Sequence, residues 1–140
     1  MGLLPLPWLA VGVLVDYFAA SSVELGRVGF LAGPASVGWP HVDCKGWADE
    51  LAGRVAELTG RDASEFGADV LISAEADGPW LTRVPAEVAL ALAGVTDERL
   101  AEYAEEELLD EHEADQFVRL RDLVRSARAD ERDLYCWSSL

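Results

Sequence analysis

The second half of the chain is punctuated as a succession of helices, which leaves little length for anything larger than a small sheet. Pro85 suits a first helical turn, and the segment through Ala93 stops at Gly94. Thr96 then stands as an N-cap, with Asp97 and Glu98 in the first turn where carboxylates complement the helix dipole. That helix is expected to turn Leu100, Tyr103, Ala104 and Leu108 inward. A longer one is expected from about Glu113 to Asp130, with Phe117, Leu120, Val124 and Ala127 inward. Upstream, Gly46 to Thr59 reads as an amphipathic helix. Trp47, Leu51, Val55 and Leu58 share one face, Glu50 and Arg54 pair at i, i+4, Asp43 is placed to cap the start and Gly60 to end it.

Strands are expected where apolar, β-branched runs are too short for helices. Val11 to Phe18 reads as a central strand with Asp16 near its solvent end, and Leu134 to Trp137 as a closing one. Trp80 to Val84 reads as extended, while Val70 to Ile72 fits a strand or a buried helical turn equally well. Ser21 or Ser22 is placed to cap a short helix toward Phe30, and Gly33-Pro34, Gly38-Trp39-Pro40 and Gly78-Pro79 mark loops. With 140 residues, half of them hydrophobic, the chain can bury a core without metal or disulfide. The expected fold is a single α+β domain over residues 1–140. Three to five helices lie on one side of a small mixed sheet whose N-terminal and C-terminal strands are central.

Charge is concentrated. Residues 97–115 hold ten carboxylates and one cation, Arg99, a net of −9 within a chain of net −15. A field of that sign repels nucleic acid and anionic membranes and speeds the approach of a basic partner. Arg121, Arg125, Arg128 and Arg132 recur at helical spacing as the one cationic stripe. It is read as internal, facing the acidic helix in exposed pairs worth a few tenths of a kcal/mol each.

Cys44 and Cys136 lie too far apart, and are too few, for a disulfide framework, and are expected as buried reduced thiols. Leu3 to Val15 is apolar, but no cation precedes Arg27 and the run is too short to span a bilayer. A cytoplasmic protein is expected.

A set of short patches resembles the YfbM-like family of uncharacterised bacterial proteins. These are Tyr17-Phe18-Ala19, Asp43-Cys44-Lys45-Gly46-Trp47, Leu58-Thr59-Gly60, Gly78-Pro79-Trp80-Leu81-Thr82, Pro85 to Val88 and Val95 to Leu100. Met1 to Ala10 falls outside that pattern. The resemblance implies an α+β domain and carries no activity to transfer.

The chemical constellations are sparse. His41-Val42-Asp43-Cys44 is the nearest approach to a metal motif, yet the chain holds only two His and two Cys, so no metal or other cofactor is expected. Glu111-His112-Glu113 point in different directions on a helix and do not converge on one atom. No nucleophile elbow or phosphate loop is present, and Cys136 between Tyr135 and Trp137 sits where a thiol stays protonated.

Three function classes follow. The first is a non-enzymatic module that binds a basic protein through Glu102, Glu105, Glu106, Asp110, Glu111 and Glu113, most concretely an immunity-like protein that neutralises a toxin or effector. The second is an enzymatic or small-molecule-binding domain with a pocket near Asp16, Tyr17, His41 and Trp80. The third is a DNA mimic.

Overall fold

The computed structural model describes residues 14–25, 41–44, 51–74 and 80–139. Among the described residues five strands form one sheet: β1 (Leu14–Ala20), β2 (His41–Asp43), β3 (Val70–Ala74), β4 (Trp80–Arg83) and β5 (Asp133–Ser139), in the order β2-β1-β5-β4-β3. The α-helices among the described residues are α1 (Ser22–Leu25), α2 (Leu51–Thr59), α3 (Ala86–Ala93), α4 (Asp97–Glu106) and α5 (Glu111–Ala129), with a 3-10 turn at Ala63–Phe66. The fold is α+β. The sheet expected to be mixed is antiparallel at every pairing. β5 returns alongside β1 over seven residues, from Leu14 opposite Ser139 to Ala20 opposite Asp133. Mutual direction is decided by where the intervening helices deliver the chain, which no strand encodes by itself.

Alternation along the strands divides the core in two. Val15 and Tyr17 of β1, Val42 of β2, and Leu134 and Cys136 of β5 face α2 to α5. On the other face Phe18, Ala20, Leu81, Tyr135 and Trp137 form a second cluster, against which Leu25 of α1 packs. The helices therefore do not all lie on one side: α1 belongs to the opposite face. Within that cluster the Phe18 and Tyr135 rings stack at 5.6 Å.

The helical punctuation acts as its chemistry requires. Ser21 caps α1, accepting from the Glu24 amide while Glu24 reaches back to the Ser21 amide. Thr96 accepts from the Arg99 amide at the start of α4. Asp110 and Glu113 make a reciprocal capping box for α5. That helix buries Phe117, Leu120, Val124 and Ala127 on one stripe, and the Gln116 amide donates to the Asp43 carbonyl at 2.8 Å, fixing α5 over β2. Asp43 itself ends β2; Trp47, Glu50 and the expected start of α2 lie outside the described residues. No described helix is long and apolar enough to cross a membrane.

Three arginines of the stripe are turned to groups of the fold, mostly not acids of the neighbouring helix, and Arg128 is exposed with no hydrogen bond or ion pair among the described residues. Arg121 is 4 % exposed, donates to the Val95 carbonyl and pairs with Asp97 at 2.6 Å. Arg125 donates to the Ala93 and Val95 carbonyls at 2.8 and 3.0 Å. α3 has no cation in its own last turn, so two arginines of α5 serve its negative end. Arg132 pairs with Glu24 of α1 at 2.7 Å, which draws that carboxyl down to about 2 through the arginine's hydrogen bond and the Ser21 amide.

Candidate functional site

Of the four residues expected to share a pocket, Asp16 and His41 come to one face of the sheet, and Tyr17 and Trp80 do not join them. Asp16 and Tyr17 are consecutive on β1 and project to opposite faces. Tyr17 is buried among the helices beside Cys136, and burial raises its phenol well above 10.0. Asp16 sits on the other face, its register partner being Asp43, with His41 two pairs along opposite Phe18. Burial holds the Asp16 carboxyl above its ordinary value, His41 opposing and Asp43 adding to the rise. Trp80 pairs with Ser138, which also pairs with Val15, so it belongs to the helix-facing side two strands away from β1. His41 and Cys44 are divided likewise, for Cys44 is fully buried in the helix-side core. Both cysteines are free and buried, and burial first, then Asp43, pushes the Cys44 thiol up to about 12. Among the described residues no group of three His, Cys, Asp or Glu side chains is placed to hold a metal ion.

The acidic stretch folds into the antiparallel pair α4–α5, and its carboxylates sort by what they already touch. Arg99 donates to the Leu58 and Glu57 carbonyls at the end of α2 and pairs with Glu106 at 3.1 Å and Glu102 at 3.5 Å. Asp110 and Glu113 are occupied by the capping box. Of the six carboxylates expected to meet a partner, four are therefore engaged internally, and Glu105 and Glu111 are not. Glu98, Glu107 and Asp115 join them as carboxylates with no hydrogen bond or ion pair among the described residues.

Between the two helices runs a groove of about 540 Å³. Its floor is apolar and mostly small: Leu100, Ala101 and Ala104 from α4, Ala114 and Val118 from α5. Asp97, Glu111 and Asp115 stand at its edges. Helical spacing places Glu98 and Glu105 on the stripe that contains Ala101.

The turn that joins α4 to α5 carries a feature the sequence reading missed. Leu108, expected inward, is 89 % exposed with φ 54°, and Leu109 is the residue that packs against the core. Leu109 donates to the Ala104 carbonyl and Leu108 to the Glu105 carbonyl, so α4 ends in a Schellman motif with Leu108 at the left-handed position. α2 ends the same way and has Gly60 there, at φ 68°. Helical periodicity carried past the end of α4 places Leu108 one turn after Ala104, whereas the left-handed residue breaks the period. Leu108→Gly is expected to raise stability by about 1 kcal/mol, since a left-handed leucine is strained and its side chain buries almost nothing. Urea unfolding of the two proteins checks this.

A second concavity, of about 280 Å³, lies between α2 and α4 and is lined by Gly53, Arg54, Glu57, Tyr103 and Glu107. The Tyr103 hydroxyl donates to Glu57 Oε2 at 3.4 Å, and burial, with Glu57 beside it, raises the phenol pKa. These groups come from helices nearly fifty positions apart, and no local motif announces them. No protein-family model, curated protein or solved structure matches the chain.

Proposed function

We propose that this protein is a non-enzymatic acidic module that captures a basic protein on its α4–α5 face, acting as an immunity-like neutraliser of a toxin or effector. The observation that carries the reading is the apolar groove between α4 and α5 with unpaired carboxylates along it. An apolar floor contributes affinity and a charged border contributes on-rate and register, a division found at protein interfaces. The arrangement does not suit a polyanion, because a net charge of −15 opposes one.

The test uses charge reversal at positions that make no hydrogen bond or ion pair among the described residues, of which Glu98 and Glu111 contribute only dipole complementarity in a first helical turn. Glu98, Glu105, Glu111 and Asp115 changed together to lysine are expected to slow association with the basic partner recovered from the source cells. The slowing is about tenfold or more at low salt, and the salt dependence flattens. Asp110→Lys is left out of the set, because it removes the cap of α5 and costs about 1 kcal/mol by itself. Unchanged stopped-flow association rates in the fourfold variant would rule the acidic face out as the docking surface.

A second reading rests on the cleft between α2 and α4, where Arg54, Glu57, Tyr103 and Glu107 bring polar groups of both signs together. It is the small-molecule class relocated from the β1 pocket. Glu57→Gln and Tyr103→Phe would abolish binding of such a ligand while leaving protein capture intact.

A further inference from the structure

The groove is lined along both helices, and that lining selects the shape of what fills it. Its lining on α4 runs from Asp97 to Ala104, about 10 Å of helix axis or two turns. Ala101, Ala104 and Ala114 present almost no side chain, so a third helix can approach these two at the shorter end of the usual 8–10 Å interaxial range. A floor this small leaves space that the occupant must fill with large apolar residues of its own. Of the carboxylates that line it, Glu111 and Asp115 along α5 are unpaired while Asp97 along α4 is held by Arg121, and the unpaired Glu98 and Glu105 stand beside the lining on the α4 stripe that contains Ala101. The occupant must therefore carry cations flanking its apolar stripe.

We infer that the α4–α5 groove seats one amphipathic helix of a basic partner. That helix has large apolar residues at i, i+3 or i+4 and i+7, with lysine or arginine on both sides of the stripe. The inference rests on the proposed capture of a basic protein and adds the form in which the partner is presented. Seated there, the helix makes a three-helix layer with α4 and α5, the packing mode used wherever an amphipathic helix enters a groove. Leu108, in the turn that joins α4 to α5, adds an exposed apolar side chain that the fold itself does not use.

Two synthetic peptides of about 16 residues, long enough to hold a helix once docked, separate shape from charge. Both have one composition of leucine, lysine and alanine. In the first the leucines fall on one helical face; in the second they are scrambled so that no face forms. Fluorescence anisotropy is expected to show the first binding at least about tenfold more tightly than the second. Ala104→Trp fills the groove at a half-exposed position and is expected to abolish that difference while leaving the scrambled peptide's weak, salt-sensitive binding in place. Leu108→Gly, which keeps the fold, is expected to weaken the first peptide alone.

Equal affinity of the two peptides, or an advantage that survives Ala104→Trp in a folded variant, overturns the helix-in-groove inference. In that case scrambled-peptide binding that falls on lysine reversal of Glu98, Glu105, Glu111 and Asp115 would still support acidic capture. Scrambled-peptide binding untouched by that reversal would remove both readings.

Discussion

Replacing Phe117 by alanine is expected to remove about 3–5 kcal/mol of folding stability, the usual cost of deleting a buried aromatic side chain. Phe117 is 1 % exposed and sits where α5 meets α2 and α4. Its ring takes the edge of Tyr103 at 5.4 Å and an interplanar angle of 78°, and the Arg54 guanidinium lies 5.7 Å from its centroid. Edge-to-face pairs contribute about 0.5–1.5 kcal/mol beyond area burial, so the loss belongs in the upper part of the range. A domain of this size has about 5–15 kcal/mol in total, and the variant should be poorly folded or close to it at room temperature. Phe117→Leu keeps most of the volume and should cost about 1.5 kcal/mol or less. Urea midpoints with an unchanged slope would report both values. A loss below about 1 kcal/mol for the alanine variant would place the ring outside the core.

Alkaline pH is expected to unfold the protein well before its arginines titrate. The Cys44 thiol is carried from its ordinary 9.0 to about 12, chiefly by burial in the helix-side core. Below about pH 9 the thiol is protonated in both states, and the stabilising contribution is whole. Between there and about pH 12 the unfolded chain gives up the proton while the folded one keeps it, so stability falls by about 1.4 kcal/mol per pH unit. The full loss approaches about 4 kcal/mol. Tyr17 acts in the same direction from pH 10.0 upward, since its phenol is buried beside Cys136. Urea midpoints at about pH 8, 9 and 10 should fall progressively, and Cys44→Ala should make the first part of the decline shallower. A thiol-reactive dye should find no thiol in the folded protein and two in urea. Midpoints constant up to about pH 10 would show that Cys44 is not held protonated by the fold.

The readings that hold are those that depend on neighbours a few positions away. Pro85, Gly94 and Thr96 mark helix ends because the groups they satisfy or leave bare are within one turn. Phe117, Leu120, Val124 and Ala127 are legible as one stripe because 3.6 residues per turn places them there whatever surrounds the helix. The capping box at Asp110 and Glu113 was present in the sequence too, though the helix start was expected near Glu113 itself. Val70 to Ile72, ambiguous by periodicity, becomes a strand because β4 lies beside it.

The tertiary structure decided everything that needed a partner from elsewhere in the chain. Arg121 and Arg125 read as partners for the acidic helix until α3 ends beneath them and its carbonyls need donors. Asp16 and Tyr17 look like neighbours in a pocket until the strand's alternation sends them to opposite faces, which depends on which face the helices cover. Ten acids in nineteen residues are visible at once; which of them are free depends on Arg99, the cap at Asp110 and the packing of α4 on α2. Leu108 is exposed because the chain must reverse there to bring α5 back along α4. The sequence determined the elements and the sign of the surface, for both follow from residue type and spacing. The groove, its open carboxylates and the protonated core thiol exist only once distant segments have packed, because burial and pairing are properties of the assembled chain.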